Sequence, residues 1–139
     1  MTMKRIEQYQ RKLEFIIDKI STLPDNVHEN IFLMDALFYR LQVSIDATMD
    51  LIAMICKDLG ITVRDDYSNI NELENLNLFP KVLLNELRRL NGIRNALVHR
   101  YNKIEEDQII KEKGHFVNIL KQYVKLVEKF SNERIKPSE

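Results

Sequence analysis

The sequence predicts an all-α protein, an antiparallel bundle of four main helices and a short one, and three observations lead there. Three Gly and three Pro in 139 residues leave little turn chemistry for the many hairpins of an all-β chain. Apolar residues recur at intervals of three and four, the period of one helix face. Leu, Ile, Lys, Glu and Asn fill long uninterrupted stretches between breaks. With 45% hydrophobic residues, the length predicts one domain over residues 1–139, its tail frayed from about 132.

Each element has its own signal. Ile6, Tyr9, Leu13, Ile16, Ile17 and Ile20 form one stripe on a first helix that ends near Thr22-Leu23-Pro24. Asp25 and Asn26 offer caps for a second helix, predicted from about Val27 to Leu59 and stopped by Gly60. At 1.5 Å per residue it is roughly 50 Å long. It carries two apolar stripes, Met34 to Leu59 on one side and Val43, Ala47, Leu51 and Met54 beside it. That width exceeds what a surface helix needs and favours a homodimer over a fully internal helix.

Residues 60 to 69 read as a loop, and a short helix follows over about Ile70 to Leu76, with Asn69 and Glu72 as a capping pair. Pro80 is suited to open the next helix, whose apolar face is Val82, Leu83, Leu87, Leu90 and Leu97. The acids Glu105, Glu106 and Asp107 suit the start of the last helix, where Phe116, Leu120, Tyr123, Val127 and Phe130 repeat as four, three, four, three. Gly114 is placed to bend it near its start.

Lysine and arginine balance aspartate and glutamate at 21 each, so no global charge announces a nucleic acid or an anionic membrane. Locally the balance fails: between Lys81 and Lys103 there are six basic residues against the single acid Glu86. Cys56 is alone in an apolar run and reads as a buried, inert thiol in a reducing compartment. No stretch is apolar enough for a signal peptide or a membrane span, so a soluble cytoplasmic protein without membrane contact is expected. His28 and His115 lack ligands at metal spacing, and the glycines do not make a phosphate loop, so neither a metal site nor a cofactor is expected.

The informative stretch is Asn91 to Tyr101, with the pattern R-x-x-x-x-H-x-Y on Arg94, His99 and Tyr101. A histidine moves protons near neutral pH, and an arginine clamps a phosphate with a planar fork of donors. Asn95 could orient either. On RNA, His99 would act on the 2′-OH or protonate the leaving oxygen while Arg94 stabilises charge developing at phosphorus. Yet five residues place the two about 140° apart around a helix. Convergence needs Arg94's long side chain, a local distortion, or a second copy of the motif facing the first.

Gly92-Ile93-Arg94-Asn95-Ala96-Leu97-Val98-His99-Arg100-Tyr101 resembles the signature of the HepT family of HEPN proteins. The Arg40 to Leu51 segment, the Phe79-Pro80 entry and the terminal helix resemble that family as well. The resemblance implies a dimeric bundle in which two R-x-x-x-x-H motifs line one cleft, and a metal-independent ribonuclease. It implies the toxin of a type VII toxin–antitoxin pair, silenced when an MntA-like nucleotidyltransferase antitoxin adds AMP to the motif tyrosine, here Tyr101. Such proteins place a polar or acidic group of the second helix near the site, which makes Asp46 and Asp50 candidates. Arg100 and Lys103 are candidates for contacting substrate. Two alternatives share the bundle: a non-catalytic module that holds a nucleotide or a nucleotidyltransferase, and a structural adaptor whose Arg94 and His99 are interface contacts.

Overall fold

The structure, a computed structural model, describes residues 2–99 and 103–134. Five helices follow one another: α1 Met3–Ser21, α2 Ile31–Asp58, α3 Asp66–Asn75, α4 Lys81–His99 and α5 Lys103–Asn132. Among the described residues there is no strand.

α1 starts where the Thr2 hydroxyl accepts from the Arg5 N–H at 3.1 Å. Its inner face is the expected stripe except for Ile17, which stays 36% exposed. α1 runs antiparallel to α2, as the pairings Arg5 with Asp58, Lys12 with Asp50 and Arg40 with Thr22 show. It is also antiparallel to α5, with Tyr9 against Phe130 at one end and Lys113 on Pro24 and Asp25 at the other.

α2 begins four residues later than Val27. Asn26 takes a left-handed φ of 49°, a conformation asparagine tolerates but no helix interior accepts. Val27 turns into the core instead, and Asn30 caps the helix by accepting from the Leu33 N–H at 3.0 Å. The other end closes as the sequence indicates. Gly60, at φ 79°, donates to the Lys57 carbonyl while Ile61 donates to that of Cys56, the paired bonds of a glycine-terminated helix.

α3 also departs from expectation. Asp65 is the cap, accepting from both the N–H and the hydroxyl of Ser68, so the helix opens at Asp66 inside the expected loop. Asn69 is no cap but a buried helical residue, and its amide both accepts from the Arg64 N–H and donates to the Arg64 carbonyl.

In α4 the Pro80 carbonyl accepts the first helical bond, from the Leu84 N–H. Leu84 is buried where Val82 had been expected; Val82 is 75% exposed. α5 runs unbroken through Gly114 and buries its whole predicted stripe. Ser131 is buried too, so the helical end is packed up to that point.

α2 packs against α1, α3 and α4 and reaches α5 through the Tyr123 hydroxyl, which donates to the Thr48 carbonyl at 2.9 Å. Much of its apolar width, Ala47 and Leu51 included, is therefore buried within one chain. Burial pushes the Tyr123 phenol well above its ordinary range. Replacing Tyr123 with Phe is expected to destabilise the protein by about 1 kcal/mol, a fall of roughly 3 °C in Tm in a thermal melt.

Candidate active site

The centre of α4's inward face carries a charge among leucines. Leu87, Leu90 and Leu97 are buried, and Arg94, close to them on the helix wheel, points at α2. There its Nε donates to Asp46 Oδ1 at 2.6 Å, and its Nη1 donates to Asn95 Oδ1 at 3.2 Å. The Arg94 and Asp46 side chains keep 37% and 38% of their exposure, so the pair stabilises the fold by no more than about 1 kcal/mol. Its value is geometric: the guanidinium is fixed at one edge while the helix end stays open.

Of the two acids proposed on α2, the structure brings Asp46 to Arg94. Asp50, one turn on, accepts from Lys12 at 3.2 Å. A third acid was missed. Asp66, the first residue of α3, is half-buried, and desolvation raises its carboxyl above the ordinary range. Arg94 opposes that shift, while Asp50, Asp65 and Asp46 add to it. Arg94 thus sits in the field of carboxylates from two helices. The signal was the Asp65-Asp66-Tyr67-Ser68 run, where Asp65 and Ser68 stand at N-cap spacing.

His99 is the last residue of α4 and is exposed. The helix is regular up to it, so the angular separation from Arg94 is retained, about 140° and 7.5 Å of rise. Within one chain Arg94 faces α2, and His99 leaves the helix from a position about 140° round from it. Asn95 is exposed beside Arg94, and Lys103 is exposed at the start of α5. Arg100 and Tyr101 lie outside the described residues.

Of the six basic residues from Lys81 to Lys103, Arg88, Arg89 and Arg94 are paired with acids. Arg88 bonds Asn85, Asn71 and Glu74, and Arg89 pairs with Glu112 and Glu86. These contacts tie α4 to α3 and to α5, so they act as clamps between helices. Beside Asp46 a groove of about 360 Å³ lies between α1 and α2, lined by Lys12, Phe15, Val43 and Asp50 among others. Cys56 is buried, its thiol raised by desolvation. Among the described residues no three His, Cys, Asp or Glu are grouped to hold a metal ion, and no helix is long and apolar enough to cross a membrane.

The architecture thus defined is a five-helix bundle whose fourth helix ends in R-x-x-x-x-H, with the arginine anchored on an acid of the second helix. The chain belongs to the ribonuclease HepT-like family, whose model matches residues 4–127. A protein of Archaeoglobus fulgidus named “Putative RNase” is 37% identical over 133 residues, covering 96% of this chain and 99% of its own length. A second from the same organism, with the same name, is 31% identical over 88% of this chain and 93% of its own. Among solved structures, the tri-AMPylated Shewanella oneidensis HEPN toxin in complex with MNT antitoxin superposes with a TM-score of 0.70 at 19% identity, over 91% of this chain and 96% of that one. A toxin–antitoxin complex with AMP-PNP gives 0.70 at 18%, over 90% and 95%. At such identities the superpositions speak for the fold.

Proposed function

We propose that the protein is a metal-independent endoribonuclease of the cytoplasm, a single HEPN domain acting as a homodimer, and the toxin of a pair whose nucleotidyltransferase antitoxin silences it by adding AMP to Tyr101. The observation that carries this reading is an arginine anchored on Asp46 five residues before an exposed histidine at a helix end.

His99 takes the proton of a ribose 2′-OH or gives one to the departing 5′-oxygen, and Arg94 stabilises the charge on the phosphoryl oxygens. The nucleophile belongs to the substrate, so one strand ends in a 2′,3′-cyclic phosphate and the other in a 5′-OH. Because α4 is undistorted and Arg94 is turned toward Asp46, the two groups meet across two copies of the chain. The surface for that meeting lies beside Asp46, where α2 exposes Tyr39 at 56% and α4 exposes Val98 at 48%. Arg100 and Lys103 are the candidates for contacting phosphates, and Asp46 holds Arg94 in place. An adenylate on Tyr101, two residues beyond His99, adds negative charge where RNA phosphates must come.

Purified protein is expected to cleave single-stranded RNA in excess EDTA and to leave cyclic-phosphate ends. Loss of cleavage in EDTA, or equal cleavage of DNA, sinks the mechanism. Intact-mass measurement after co-expression with a cognate nucleotidyltransferase should show adenylyl additions that disappear in Tyr101→Phe.

A further inference from the structure

α1 keeps an outward band that the bundle does not use. At about 100° per residue, Lys4, Arg11, Phe15 and Lys19 fall within roughly a quarter of its circumference. Lys12 borders them on the side of α2, where it pairs with Asp50 at 3.2 Å. The acids of α1, Glu7, Glu14 and Asp18, fall on the other flank, away from α2, and Lys19 reaches across to Asp18 at 3.9 Å. Lys4 and Arg11 are exposed, and neither pairs with an acid among the described residues. Between the cations Phe15 is 41% exposed, with the Lys19 ammonium 5.2 Å from the centre of its ring.

The band opens onto the candidate site. Arg11 and Phe15 line the α1 side of the groove of about 360 Å³ whose α2 side includes Asp46, the anchor of Arg94. Each carboxylate in that groove already has its cation, Asp46 in Arg94 and Asp50 in Lys12, so Arg11 is charge to spare. On α4, by contrast, Arg88, Arg89 and Arg94 are all committed to acids. Cations interleaved with an exposed ring suit a single strand, which needs its phosphates neutralised in turn and a flat surface for a base. Lys4 and Arg11 stand two turns apart, roughly 10 Å, about the length of three stacked nucleotides. The groove has the size of a small-molecule site and admits a nucleotide rather than a folded acidic partner.

We propose that this band of α1 is the track along which single-stranded RNA reaches the cleft, with Lys4 and Arg11 on its phosphates and Phe15 under a base. The proposal rests on the ribonuclease reading and adds the side from which the strand approaches Arg94.

The test uses Arg11→Gln and Phe15→Leu, with Lys125→Gln on the exposed side of α5 as a control of equal charge loss. Each is also made in His99→Ala protein, so that binding of a labelled single-stranded oligoribonucleotide is read without cleavage. At these exposed positions Tm should stay within about 3 °C. Arg11→Gln should weaken binding severalfold and flatten the slope of log affinity against log salt by about 0.7. Phe15→Leu should weaken it roughly tenfold, the value of one stacked base, and leave that slope unchanged. In protein that cuts, both should raise KM more than they lower kcat.

Unchanged affinity and slope in both variants overturn the track, as does an equal loss in Lys125→Gln, which would make net charge the cause. An absence of RNA binding by the His99→Ala parent overturns it too. So does loss of the dimer on sedimentation of Arg11→Gln, since the band would then hold a second copy, or loss of nucleotidyltransferase binding with RNA affinity intact. If the variants weaken binding but the wild type cuts nothing, the track stands and the ribonuclease reading falls. If the wild type cuts and the variants cut with unchanged KM, the reverse holds.

Discussion

His99→Ala is expected to lower RNA cleavage by roughly 10²–10⁴-fold while the proposed dimer and the melting transition remain. The side chain is exposed at the end of α4, and an exposed substitution of this kind shifts stability by no more than about 0.5 kcal/mol. His99→Gln keeps a hydrogen-bonding side chain but moves no proton, so it should be as inactive as the alanine variant. Activity retained in the glutamine variant would show that His99 binds rather than transfers. The same residue tests the composite site. Mixing inactive His99→Ala with inactive Arg94→Ala under exchange should restore about a quarter of wild-type activity, since half the dimers then carry one intact pair drawn from two chains. Sites formed within one chain would recover nothing.

Helix periodicity made the bundle legible because five faces were built from aliphatic and aromatic side chains at regular spacing. The α5 stripe from Phe116 to Phe130 came through complete. The errors cluster at helix starts, where a single φ decides. Asn26 could have capped α2, but its left-handed φ sends Val27 into the core and leaves the role to Asn30. Asp65, Asn69 and Ser68 could each have opened α3, and only the buried exchange between Asn69 and the Arg64 backbone settles it. That shift matters for the site, because it turns Asp66 from a loop residue into a half-buried neighbour of Arg94. Spacing alone listed Asp46 and Asp50 as equals. What separates them is which helix each faces, α4 or α1, and that depends on packing three helices together.

Arg94→Ala is expected to lower kcat by roughly 10²–10³-fold, and Arg94→Lys should rescue little of it, since an ammonium cannot reproduce a fork held by Nε on Asp46 while facing a phosphate. In the proposed mechanism Asp46 acts through that arginine as a positioning residue. Asp46→Asn should lower kcat about tenfold and leave KM unchanged or reduced, because it removes negative charge from the path of RNA phosphates. In the Asp46→Asn, Arg94→Ala double variant the loss should equal that of Arg94→Ala alone. Multiplying losses would mean that Asp46 has a role of its own.

Stability gives an independent reading of the same pair. Removing Arg94 takes the cation from Asp46 and from the field around Asp66, while Asp50 keeps Lys12. Asp66 already has its folded-state carboxyl raised by desolvation, so its ionised form opposes folding. That destabilisation is present above the folded value and disappears as pH falls through it toward the unfolded value. Arg94→Ala should therefore melt lower than wild type at neutral pH and approach it near pH 4, whereas Arg94→Ala, Asp66→Asn should narrow the gap at neutral pH and change little near pH 4. A deficit that stays constant from pH 7 to pH 4 would mean that the carboxylates of α2 and α3 do not feel Arg94, and Asp46 would lose its place as the anchor.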